Sequence, residues 1–81
     1  VSVVKEAVVQ RLKSICKDRG IAANELANLS GVTPSTVYSL LNPERKNASI
    51  TTIKILCDGL DMTLGEFFSS PEFDDLEQEI K

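Results

Sequence analysis

Residues Glu25 to Leu41 read ELANLSGVTPSTVYSLL, and the spacing inside this stretch decides the fold. Ala27 stands four residues before Gly31 and Val37 ten residues after Ala27, with Leu26, Val32 and Leu40 supplying apolar positions around them. Two helices packed at a steep angle through a short turn need a small side chain where their backbones come closest. Ala27 fits that place. The turn also needs a residue that tolerates positive φ, and Gly31 does so without steric cost. The apolar set then wedges the two helices together and against the rest of the domain.

Working outward, the second helix of this pair has an explicit start, with Thr33 as cap and Pro34 at the first helical position. It ends before Asn42-Pro43, because a residue preceding proline is pushed out of the helical region. The first helix of the pair covers about Ala23 to Leu29. Upstream, Val8, Leu12, Ile15 and Cys16, with Val4 and Val9 alongside, recur at helical spacing and predict a helix from about Val3 to Arg19. Lys5, Arg11, Lys13 and Lys17 are left for its wet side, Gly20 stops it, and Ile21 anchors the connection. Downstream, Glu44 to Ala48 reads as a loop. Ser49 caps a helix running to about Leu60, with Ile53, Leu56, Cys57 and Leu60 facing inward. Thr63 and Glu66 form a capping box for a short helix ending near Phe68 or Ser69, whose Leu64, Phe67 and Phe68 close the core. Ser70-Pro71 caps a last turn or two in which Phe73, Leu76 and Ile80 share a face. The expected fold is all-α, a compact five-helix domain over residues 1–69 with a helix-turn-helix at helices 2 and 3. Residues 70–81 are expected to form an acidic amphipathic tail containing a short helix.

The region Gln10 to Phe68, about three quarters of the chain, resembles the Cro and phage-repressor (Xre-type) family of DNA-binding domains. The matching pieces are Arg11-Leu12-Lys13-Ser14-Ile15, Leu26-Ala27, Ser30-Gly31-Val32, Ser35-Thr36-Val37, Ile53-Lys54-Ile55-Leu56-Cys57 and Leu64-Gly65-Glu66-Phe67-Phe68. The resemblance implies that the second helix of the pair enters the DNA major groove, and that the protein binds as a homodimer to an inverted repeat. Three departures from the family pattern matter. Ala22-Ala23 stands where the family has a Ser or Thr cap followed by Gln, which loses a cap worth about 1 kcal/mol and a phosphate contact that Asn24 is placed to replace. Pro34 stands where the family often has Gln or Arg. Asp61 stands where it usually has Gly or Asn, and Asp tolerates the left-handed region less well than Gly but better than most residues.

Eighty-one residues make one small domain. No stretch of eighteen apolar residues exists, so no membrane span is expected, and residues 1–9 are too short and too interrupted by Lys5 and Glu6 to read as a signal peptide. Cys16 and Cys57 are the only cysteines and both fall on apolar helical stripes. They read as reduced, packed small hydrophobes in a cytoplasmic protein. Without histidine or a C-x-x-C pair a zinc site is not expected, nor is any cofactor, and no small-molecule ligand is evident. No nucleophile–base pair can be assembled, so the chain does not read as an enzyme. Net charge is −3, but residues 1–70 carry eight basic and seven acidic side chains while residues 71–81 carry five acids and one lysine. The acidity belongs to the tail. The body is nearly neutral, so affinity for DNA must come from geometry, dimerisation or both.

On this reading Ser35, Thr36, Tyr38 and Ser39 are the base-contact candidates on the recognition helix, able to touch base edges but short of the bidentate partners that discriminate best. Tyr38 has packing on the loop at Arg45 to Asn47 as its competing role, and Thr36 has a hydrogen bond within its own first turn. The phosphate-contact candidates are Arg11, Asn24, Thr33, Asn42, Arg45, Lys46, Asn47 and Lys54, helped by backbone N–H groups at the starts of helices 2 and 3. Asp74, Asp75, Glu77 and Glu79 read as a solvated face. The expected function is a sequence-specific DNA-binding transcriptional regulator, of repressor type. The alternative is a protein-binding module on the same fold, antitoxin-like or an anti-repressor partner.

Overall fold

The computed structural model describes residues 3–42, 44 and 48–76. Six helices follow one another in the described residues: α1 (Val3–Arg19), α2 (Ala23–Ser30), α3 (Pro34–Leu41), α4 (Ile50–Gly59), α5 (Leu64–Phe68) and α6 (Pro71–Asp74). No strand occurs among them. The sixth helix is the single turn that opens the expected tail. Leu12, Leu26, Ala27, Val37, Leu56, Cys57 and Phe67 are at most 1% exposed and form the centre of the core. Ala27 does lie fully buried between neighbours, as the helix-turn-helix spacing requires.

The same turn chemistry closes α1, α2 and α4. After each helix one residue enters the left-handed region: Gly20 at φ 66°, Gly31 at φ 72° and Asp61 at φ 56°. The next residue sends its N–H back to a carbonyl in the last turn, Ile21 to Cys16, Val32 to Ala27 and Met62 to Cys57, each at 3.0 Å. Ile21, Val32 and Met62 all pack against the core. This is the Schellman arrangement with its apolar contact, used three times, once with Asp where Gly would be unstrained.

Helix starts are more varied. Ser49 Oγ accepts from the Thr52 N–H, and Thr63 with Glu66 makes both bonds of a capping box at 3.0 Å. Thr33 occupies the cap position of α3 with extended backbone but makes no side-chain cap bond. Its hydroxyl lies 3.2 Å from that of Thr36, and the two satisfy each other. Ser70 likewise sits before Pro71 without capping α6, because its hydroxyl bonds the Glu72 carboxylate instead and holds that carboxyl below its usual range.

Two further packing features complete the fold. Gly59 of α4 lies against the end of α2 so closely that a Cβ there would stand 2.9 Å from both Cα and N of Ser30. The Ser30 hydroxyl is buried in that contact and has no hydrogen-bond partner. Gly59 on Ser30 is therefore a close backbone approach of α4 to α2, in addition to the burial of Ala27. Second, Phe67, Phe68 and Phe73 form a ring cluster with centroid separations of 5.0, 6.0 and 4.9 Å. Phe73 of α6 thus packs on its own subunit's core.

Both cysteines are free, with Cys57 buried and Cys16 half-buried. Burial pushes both thiols up, reinforced at Cys57 by Asp58 and opposed there by Lys54 and Arg11, and opposed at Cys16 by Arg19. Under native conditions at neutral pH Cys57 is expected to resist alkylation until the chain unfolds, while Cys16 reacts slowly. Mass spectrometry of a timed iodoacetamide reaction checks the order, and equal rates would contradict the packing.

The glycines supply a sharper test. Gly59→Ala is expected to destabilise by about 1–3 kcal/mol through overpacking against backbone, despite alanine's better helix propensity. Gly65→Ala, where the nearest atom to a new Cβ is 3.7 Å away, is expected to be neutral or stabilising by up to about 1 kcal/mol. Asp61→Gly should stabilise by about 1 kcal/mol by relieving a left-handed residue with a side chain. Urea unfolding of the three variants reads all of these as signs, and a stabilising Gly59→Ala would refute the close approach.

Candidate nucleic-acid interface

Helix α3 is two-sided because its apolar residues recur at helical spacing. Val37 and Leu40 are 0% and 6% exposed, and Leu41 packs against the core beside them. The opposite stripe, Ser35, Tyr38 and Ser39, faces solvent. Asn42 continues this stripe at the end of the helix and is half-buried. Thr36 is half-buried as well, at the edge of the stripe, with its hydroxyl engaged by Thr33. Four expected base-contact residues therefore resolve into three on the open face and one at its margin.

Tyr38 has a partner the sequence did not suggest. Its hydroxyl donates to Asn24 Oδ1 at 3.4 Å, a long bond joining α3 to the start of α2. A donor pointing at the carbonyl oxygen leaves both amide N–H groups of Asn24 unused by that bond. They are available to an acceptor such as a phosphate. Neither α2 nor α3 has a side-chain cap, since Ala22 has no side-chain acceptor and Thr33 is turned toward Thr36. The first N–H groups of both helices therefore have no side-chain acceptor, a pattern suited to anions.

The cations of α1 do something else. Lys5, Arg11 and Arg19 each reach the carbonyl end of a different helix. Lys5 Nζ donates to the Asn42 carbonyl at the end of α3, at 3.1 Å. Arg11 donates through Nε to the Phe67 carbonyl at 2.8 Å and through Nη2 to the Glu66 carbonyl at 2.9 Å, on α5. Its guanidinium carbon also lies 6.0 Å from the Phe67 ring centroid. Arg19 Nη1 donates to the Leu60 carbonyl after α4 at 2.6 Å. A positive group at a helix C-terminus satisfies carbonyls that have no intrahelical donor and complements the helix dipole.

This corrects the placement of Lys5 on the wet side of α1: the side chain is buried, 5% exposed, because the end of α3 draws it in. Arg11, expected to be a phosphate contact, has three of its contacts inside the domain. Lys54 is exposed and ion-paired with Asp58 one turn along α4, a surface pair of little energetic worth that a phosphate could displace. Asn42 accepts the Glu44 N–H through its side-chain oxygen at 2.9 Å, which leaves its amide N–H groups unused by that bond. Arg45, Lys46 and Asn47 lie outside the described residues.

The signal that could have located Lys5 was its phase. It falls three residues before Val8 and seven before Leu12, on the buried stripe of α1, and a charge there must find a partner. Lys5→Met is accordingly expected to cost about 1.5–3 kcal/mol, the range for hydrogen bonds to charged groups. Lys13→Met, at an exposed position, should stay within about 0.5 kcal/mol of the parent. Thermal denaturation of the pair decides the matter, and equal losses would contradict the buried contact.

Comparison with known proteins agrees with this geometry. A family model for the Cro/C1-type HTH DNA-binding domain matches residues 11–72. The chain is 32% identical over 71 residues to the HTH-type transcriptional regulator PuuR of Escherichia coli (strain K12), covering 88% of this chain and 38% of that protein. The same identity and coverage hold for the HTH-type transcriptional regulator PuuR of Shigella flexneri. The chain thus spans well under half the length of the curated relatives it matches. The crystal structure of the prophage Lp1 protein 11 superposes with a TM-score of 0.77 at 28% identity, over 89% of this chain and 95% of that one. No described helix is long and apolar enough to cross a membrane.

Proposed function

The chain belongs to the Cro/C1-type helix-turn-helix DNA-binding domain family, and from that premise we propose that it is the operator-reading part of a transcriptional repressor. In this reading α3 enters the major groove and Ser35, Tyr38 and Ser39 meet base edges, with Thr36 at the margin. Asn24, Thr33, Asn42 and the N–H groups opening α2 and α3 hold the phosphates, joined by Arg45, Lys46 and Asn47 from the loop and by Lys54 once it leaves Asp58. The observation that supports it most is the polar stripe of α3 lying beside two helix starts without side-chain caps. In this reading the protein acts in the cytoplasm, without catalysis or cofactor.

Two copies bind an inverted repeat with half-sites about one helical turn, ~34 Å, apart. The apolar surface that supports pairing is Leu29 and Ile50, 58% and 59% exposed. The face shared by Phe73, Leu76 and Ile80 contributes less, since Phe73 is packed within its own subunit and Ile80 lies outside the described residues. A second reading, a protein-binding module on the same fold, draws support from the internal use of Lys5, Arg11 and Arg19. Those three of nine basic residues are engaged by helix ends.

Selection of duplexes from a random pool should enrich an inverted repeat, and Ser35→Glu with Ser39→Glu should abolish binding to it by placing acids against the groove. With about five to eight phosphates neutralised per dimer, log affinity should fall against log salt with a slope of about −5 to −7. No enrichment over background, together with a slope near zero, would transfer the case to the protein-binding module.

A further inference from the structure

A cavity of about 230 Å³ opens where α1, α2 and α3 meet. Cys16 of α1, Ile21, Ala23 of α2 and Leu41 of α3 form its half-buried walls, Leu12, Leu26 and Val37 close its floor, and Lys13 and Lys17 belong to the same lining. No acidic side chain lines it. Lys13 and Lys17 are exposed, and among the described residues neither is ion-paired or hydrogen-bonded through its side chain.

We infer that this cavity binds a small anionic amphiphile, a carboxylate whose alkyl or single-ring tail fills the apolar walls while its charge rests on Lys13 and Lys17. Apolar walls of this kind favour a hydrocarbon tail, because seating it there removes apolar surface from water. An apolar cavity of about 150 Å³ accepts benzene, so this one accommodates a tail of about nine heavy atoms by proportion. The lysines supply the charge preference. Two like charges one helical turn apart repel each other, and an anion placed between them relieves that repulsion while using the positive field at the mouth. This inference goes beyond DNA binding and does not depend on it.

Octanoate is the probe, titrated into the full chain and followed by amide chemical shifts. Saturable shifts centred on Cys16, Leu26 and Leu41 are expected, with octan-1-ol and octylammonium binding weaker by about tenfold or more. Lys13→Glu with Lys17→Glu, both at exposed positions, should weaken octanoate by a similar factor of about ten. Cys16→Leu, which fills part of the cavity, should remove the saturable shifts while circular dichroism stays native. If that variant fails to fold, the charge-reversal variant still decides. Shifts centred elsewhere, or octanoate binding unaffected by charge reversal, would overturn the site. Octan-1-ol binding as tightly as octanoate would overturn the ligand class.

Discussion

The carbonyl ends of helices α3, α4 and α5 are held by cations from one helix, and the arrangement of the domain depends on that contact. α1 contributes an apolar stripe like any core helix, but Lys5, Arg11 and Arg19 extend its reach to three separate C-termini. Each bond satisfies a carbonyl that its own helix leaves without a donor and sets a positive charge against the negative end of a dipole. Because the three lie at different heights along α1, they fix where α3, α4 and α5 end relative to a common axis. For α3 this has a functional consequence. The helix that presents Ser35, Tyr38 and Ser39 is held at its far end by a buried ammonium group, and at its near side by the Tyr38–Asn24 bond to α2.

The parts readable in the sequence were those whose cause is local. The bounds of α1 and α3, the capping box at Thr63 and Glu66 and the left-handed residues Gly20, Gly31 and Asp61 are decided within a few residues of chain, and all occur as expected. Helix periodicity likewise sorted Val37 and Leu40 from Ser35 and Ser39. What could not be read was decided by residues far apart in sequence. Nothing near Gly59 announces that Ser30 will press on it, since the contact joins the ends of two helices. Thr33 is the local exception: it satisfies every rule for a cap, yet its hydroxyl pairs with that of Thr36 in the same turn. Arg11 looked free because the carbonyls that engage it come 55 and 56 residues later. Lys5 differs from these, because its phase on the buried stripe of α1 is legible in the sequence although lysine is usually exposed.

The internal use of cations also bears on how such a domain can select DNA. A body near neutrality, with Lys5, Arg11 and Arg19 held at its own helix ends, has few cations placed to reach a phosphate directly. Non-specific binding is chiefly electrostatic, so weak long-range attraction lowers affinity for random duplex more than for a matching site. Backbone N–H groups at helix starts and the amides of Asn24 and Asn42 act only at hydrogen-bond distance. Under the proposed function, their contribution appears only when the groove and the helix fit. Rigid placement of α3 therefore substitutes for charge. Under the proposed function, the cations that Lys5, Arg11 and Arg19 commit to helix ends still serve DNA recognition, by holding the short-range donors in register.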